Sequence, residues 1–153
     1  MDINAIKRFS IATKGLIFYN DRFLIVKRSK KCKDAPSTWE VPGGTMEIGE
    51  TVEECLLREI YEEVGLSVHI KRYLYSWKIP RNETHETVGL TFLCTSSNDA
   101  VELSHEHTSY AWILPSEIIN YDFSEGVKKD FSKLDWGYLQ YILKSHEEEI
   151  NEG

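Results

Sequence analysis

Long apolar runs are missing from this chain of 153 residues, and no stretch reaches the length of a membrane-spanning helix. The opening MDINAIKRFS has no apolar segment of the kind a secretory signal needs, so the expected setting is cytoplasmic. Cysteine is scarce. Cys32, Cys55 and Cys94 are odd in number and scattered, with no CxxC pair and no zinc-ligand spacing. That excludes a disulfide framework and makes reduced thiols the simplest reading. Positive charge is in deficit: 18 Lys and Arg stand against 25 Asp and Glu, a formal net charge of -7. The deficit argues against a nucleic-acid polymer as the main partner. It leaves a small nucleotide open, because a bound cation reverses the field locally. No repeat or linker interrupts residues 1–153, which read as one domain long enough to bury a core.

What the chain does have is strand-like pattern around one central helix. Residues 10–19 are β-rich, Asn20-Asp21 is a two-residue hairpin turn, and residues 22–28 return as a second strand. Residues 29–38 are polar and basic, a surface loop. Trp39 to Pro42 is a short extended piece leading into Gly43-Gly44. Residues 66–78 are β-rich, 79–86 read as a loop, and 87–95 alternate with Val88, Leu90, Phe92 and Cys94 on one face. Another strand spans 108–114, Pro115 opens a short helix, and 127–149 read as one helix. Strands interleaved with a mid-chain and a terminal helix predict an α/β layered domain.

Residues 44–66, GTMEIGETVEECLLREIYEEVGL, carry the strongest local signal. Thr51 and Glu54 make a capping box, and Gly65 suits the left-handed residue that ends a helix. Within that helix Glu59, Glu62 and Glu63 share a sector of about 100°. Leu56, Leu57, Ile60 and Val64 fill the adjoining sector and are expected to face the core. Carboxylates so close repel unless a cation joins them, and an oxygen-only set favours hard divalent ions, Mg²⁺ first and Mn²⁺ as a substitute.

The spacing resembles the Nudix hydrolase signature, G-x5-E-x7-R-E-U-x-E-E-x-G-U, with U a bulky aliphatic. Gly44, Glu50, Arg58, Glu59, Ile60, Glu62, Glu63, Gly65 and Leu66 match every specified position. Seven of these demand a single residue type, so a chance match at a given start is on the order of 10⁻⁹. The resemblance implies an α/β/α sandwich around a mixed sheet, with residues 44–66 as its loop–helix–loop. It implies hydrolysis of a nucleoside diphosphate linked to another group, with Mg²⁺. A nucleoside triphosphate giving monophosphate and pyrophosphate is the first expectation. An ADP-ribose or nucleotide-sugar pyrophosphatase is the runner-up, with Pro80 its one weak marker. A non-catalytic ligand sensor on the same fold is the alternative of another class, against which the intact signature speaks. The family's varied assembly leaves a homodimer open.

Carried over by position, Glu62 and Glu63 are implied metal ligands, with Glu59 a third ligand or the general base. The Gly43 carbonyl is implied in the metal shell, and Arg58 orients the glutamates. Glu50 and Gly44 are supporting; for Glu50 a plain partner of the helix dipole is the competing reading. Glu106 is the favoured acidic residue outside the signature, ahead of Glu86. For substrate contact the candidates are Trp39 and Arg28. Trp77, Phe18, Tyr73 and Tyr75 could also stack a base, although aromatics are more often packing. His85, His105 and His107 are weighed as bases or phosphate contacts against solvated loop histidines. Lys27, Arg28, Lys30, Lys31 and Lys33 could steer phosphates or simply solubilise a loop.

Overall fold

A computed structural model describes residues 7–152, and the side chains of residues 7–145. Strand β1 (Arg8–Tyr19) turns at Asn20, which takes the left-handed φ of 56° that asparagine tolerates, and returns as β2 (Arg22–Arg28). Next come β3 (Trp39–Glu40), β4 (Gly43–Thr45) and helix α1 (Val52–Val64). A long hairpin, β5 (Val68–Asn82) and β6 (His85–Ser96), leads to β7 (His107–Ile113). A 3₁₀ turn at Pro115–Asn120 precedes α2 (Glu125–Ser132) and α3 (Trp136–Glu152).

The sheet is mixed. β1 runs parallel to β6 and antiparallel to β2 and β4. β1 and β2 pair only near their turn, at Phe18–Phe23 and Tyr19–Arg22, and then diverge. Val26 and Lys27 of β2 pair with both β7 and β3, so β3 lies on the edge of β2 that faces β1. By the same reasoning β4 lies on the edge of β1 that faces β2, since β6 occupies the other. The hairpin is a fork, and β3 and β4 fill its opening.

Each face of the sheet is covered. Ile17, Leu24, Val26 and Cys94 pack against Leu56, Ile60 and Val64 of α1. Leu16, Phe18, Phe23, Ile25 and Leu93 pack on the opposite side against Phe131 of α2 and Leu139 and Leu143 of α3. The expected α/β/α sandwich is what forms, because strands buried on both faces alternate between two apolar layers.

Three expectations need correction. Residues 79–86 are not a loop but the tip of the β5–β6 hairpin, paired through Asn82–His85. β5 is an edge strand, so polar residues and Pro80 are tolerated there. The terminal helix is two helices: α2 ends at Ser132, and Asp135 accepts from Tyr138 N–H to start α3. On α1, Leu57 stays 41% exposed, and Cys55 is buried instead, against Thr13 of β1.

Candidate active site

Helix α1 delivers its acidic face to the fork. Its first turn closes as the sequence predicts. Thr51 Oγ1 accepts from Glu54 N–H, Glu54 accepts from Thr51 N–H, and Gly65 ends the helix at φ 71°.

Arg58 gathers the carboxylates. Its Nε donates to Glu50 at 2.6 Å and its Nη2 to the other oxygen at 2.8 Å, a two-pronged grip. Nη1 reaches Glu59 at 2.8 Å and Glu62 at 3.2 Å, and Nη2 also reaches the Thr45 carbonyl. The Arg58 hydrogen bonds and a backbone donor at Glu47 hold the Glu50 carboxyl down at about 2, while Glu50 and Glu59 raise the guanidinium in return. Glu50 therefore accepts from the same guanidinium that bonds Glu59 and Glu62.

Both glycines before the helix are closely approached, Gly43 by backbone and Gly44 by the end of a side chain. A Cβ on Gly44 would overlap the Glu59 carboxylate, and one on Gly43 would overlap the Thr13 carbonyl oxygen. Gly43 donates its N–H to Glu63 Oε2 at 3.1 Å. Glu63 is only 7% exposed. Burial pushes its carboxyl up to about 7, against the opposing pull of Lys14 and the Gly43 hydrogen bond.

Beside Glu63 lies a second charged cluster. Glu40 on β3 accepts from Arg28 Nη1 at 2.9 Å, meets His107 Nε2 at 3.0 Å and lies 3.6 Å from Lys14 Nζ. The four residues come from β1, β2, β3 and the start of β7, so the cluster ties the fork together. Burial acts to raise the Glu40 carboxyl, but Lys14, the His107 bond and Arg28 together hold it far below the usual carboxylate range. His107 is buried, and its Nδ1 has no partner among the described residues.

Glu59 and Glu63, together with the Glu40 cluster, open on one cavity of about 740 Å³, whereas Glu50, Arg58 and Glu62 do not line it. Gly43, Gly44, Glu59 and Glu63 line it on the α1 side, and Arg28, Trp39 and Glu106 line it elsewhere. The volume is in the range of small-ligand sites.

The chain matches the NUDIX domain over residues 10–134. It belongs to the Nudix hydrolase family. It is 33% identical over 124 residues to the nucleoside triphosphatase NudI of Escherichia coli strain UMN026, covering 74% of this chain and 88% of that one. It is also 33% identical over 110 residues to a MutT-like protein of Streptomyces ambofaciens, covering 71% of this chain and 66% of that one. The crystal structure of a MutT protein from Methanosarcina mazei Go1 superposes with a TM-score of 0.73. That likeness covers 83% of this chain and 93% of the other at 23% identity.

Nudix hydrolases generally use divalent metal ions, and the donor chemistry of this site fits one. Glu50, Glu59 and Glu62 share the Arg58 guanidinium and, among the described residues, Glu63 accepts only the Gly43 N–H, an excess of negative charge made of hard oxygen donors. A carboxylate buried as Glu63 is would be held ionised by a cation. Among the described residues no three His, Cys, Asp or Glu side chains converge closely enough to hold a metal as they stand. Glu62 is turned toward Arg58, and its side chain is 58% exposed.

The other expectations divide. Glu106 stands at the cavity just before β7, exposed, and its carboxylate has no bonding partner among the described residues. Glu86 lies on β6 and does not line the cavity. Trp39 lines the cavity, but its ring packs edge-on against Tyr121 at 5.1 Å. Arg28 is committed to Glu40 and the Asp34 carbonyl. His85 is bonded to Ser10, and His107 is no solvated loop histidine. Sequence reasoning missed Glu40 and Lys14. The one available signal was a lysine inside the apolar run SIATKGLIFY.

The cluster has a measurable consequence. Replacing Glu40 by Gln leaves Lys14, Arg28 and His107 without their shared anion. At neutral pH Glu40→Gln should cost roughly 2–4 kcal/mol. The folded-state pKa lies below the unfolded value, so this stabilisation is complete above about pH 4.5 and is lost as pH falls below that. Urea unfolding should therefore show the gap between wild type and variant narrowing from about pH 5 toward pH 3. A gap independent of pH would contradict the charge assignment.

Proposed function

We propose that this Nudix hydrolase cleaves a nucleoside triphosphate to the monophosphate and pyrophosphate with Mg²⁺, for which Mn²⁺ can substitute. The observation that carries the reading is the placing of Glu59, Glu63 and the Gly43-Gly44 backbone on one nucleotide-sized cavity, with Arg58 bracing Glu59 and Glu62 from behind. The name of the NudI relative supports the triphosphate choice.

Bound Mg²⁺ would supply positive charge to the diphosphate oxygens and acidity to an attacking water. Glu59, Glu62, Glu63 and the Gly43 carbonyl would hold it. Arg58 fixes Glu59 and Glu62 before substrate arrives, so less reorganisation remains at the moment of reaction. Glu59 either completes the ligand set or accepts the proton of the water, and Glu106 is the second acidic group at the cavity available to do so. Attack is at phosphorus, with no covalent enzyme intermediate. The site is proposed to work in the cytoplasm; among the described residues no helix is long and apolar enough to cross a membrane.

The test is a panel of nucleoside triphosphates, ADP-ribose and nucleotide sugars, each with EDTA, Mg²⁺ or Mn²⁺. Expected is negligible turnover in EDTA, recovery with either ion, and pyrophosphate from triphosphates as the fastest reaction. Faster cleavage of ADP-ribose or a nucleotide sugar would favour the diphosphatase reading. No turnover of any compound would favour the ligand sensor.

A further inference from the structure

Trp77 belongs to β5, whose partner is β6. It faces Gly89 directly in the antiparallel ladder. A Cβ at Gly89 would fall among Cε2, Cζ2 and Cδ2 of the indole. Cε2 and Cδ2 are the two fusion carbons at the middle of the ring system. The flat of the indole therefore covers Gly89, not its edge. The indole Nε1–H donates to Thr91 Oγ1 at 3.0 Å, and Thr91 is buried. One face and the polar atom of the ring are thus committed to β6. The residue still remains partly exposed and lines the cavity, flanked on the same strand by Tyr75 and Ile79.

A cross-strand aromatic over a glycine is by itself a packing device. Two observations go further here. The indole N–H is bonded within the fold before any ligand arrives, and Trp77 lines the cavity that Glu59 and Glu63 also line. A planar, fixed, apolar face beside a candidate diphosphate site is suited to one kind of group, a nucleobase.

We propose that Trp77 is the stacking platform for the substrate's base, a role that rests on the nucleotide reading above. Because Nε1–H is spent on Thr91, the ring reads the presence of a base and not its hydrogen-bonding edge. Trp77 therefore separates nucleotides from base-free phosphates and is tolerant among bases. Gly89 serves this role by leaving room for the indole to lie flat.

The direct test uses ¹⁵N-labelled, metal-free protein titrated with uridine and adenosine 5′-monophosphates, with ribose 5-phosphate as the base-free control. The Trp77 indole N–H signal, assigned by its loss in Trp77→Phe, should shift with both nucleotides and not with ribose 5-phosphate. In turnover, Trp77→Leu should raise KM for nucleoside triphosphates on the order of tenfold, with kcat little changed. Trp77→Phe should recover most of the loss, and inhibition by inorganic pyrophosphate should be unchanged in both. A purely structural Trp77 would disturb pyrophosphate inhibition and kcat together. Wild-type turnover of nucleoside triphosphates with an unchanged KM in Trp77→Leu, or nucleotide-induced shifts elsewhere but not at Trp77, overturns the stacking role alone. No nucleotide turnover by wild type overturns the proposed function, and this role with it.

Discussion

Glu63→Gln is expected to lower kcat/KM by at least about a hundredfold while the protein stays folded. The amide keeps the shape of the side chain, and its oxygen can still accept the Gly43 N–H that now holds Glu63 Oε2 at 3.1 Å. What disappears is the anionic oxygen that a hard divalent ion prefers. Glu59→Gln belongs beside it, because Glu59 is braced by Arg58 and pressed against Gly44. As a general base its loss should cost about 10²–10⁴-fold, and more in kcat than in KM. Steady-state kinetics with Mg²⁺ titrated in each variant separate the two roles. A lost ligand weakens the metal dependence, whereas a lost base lowers the ceiling at saturating metal. Wild-type turnover and metal affinity in both variants would reduce this helix face to solvated surface.

Gly43→Ala is the second large effect, and it is one of stability. Gly43 has φ 155°, a region L residues rarely enter, and the added Cβ would overlap the Thr13 carbonyl on the neighbouring strand. Backbone cannot move aside as a side chain can, because Thr13 and Lys14 are held in the β1–β4 ladder. The expected loss is about 3 kcal/mol or more, with β4 displaced from the fork. Gly126→Ala is the matched control. It lies in α2 with open space around it and should be neutral or gain about 0.5 kcal/mol. Chemical denaturation of both variants decides the matter. Equal stabilities would mean that Gly43 is not sterically required.

Features set by neighbours in the chain are legible in the sequence itself. The Thr51–Glu54 box, the Gly65 cap and the Asn20-Asp21 turn each need only three or four residues to form, and all formed. The Arg58–Glu62 pair was readable for the same reason, being four residues apart on one helix. The β5–β6 hairpin tip was misread because an edge strand can be polar on its open side, which erases alternation. The break at residues 133–135 was misread because apolar spacing continues from Phe131 through Leu134 to Tyr138 across two helices. Glu40 was invisible for a different reason. Its partners Lys14, Arg28 and His107 lie up to 67 residues away and meet only once the fork has closed.

This acidic face and its cavity are proposed to direct water onto phosphorus of a nucleoside triphosphate. The most direct measurement is turnover of the best triphosphate with Mg²⁺ in ¹⁸O-labelled water, with both products analysed by mass spectrometry. The expected products are a monophosphate and pyrophosphate, with label in one of them at phosphorus and none in the sugar. Label at a sugar carbon, or the same products formed as fast in EDTA, would contradict the account.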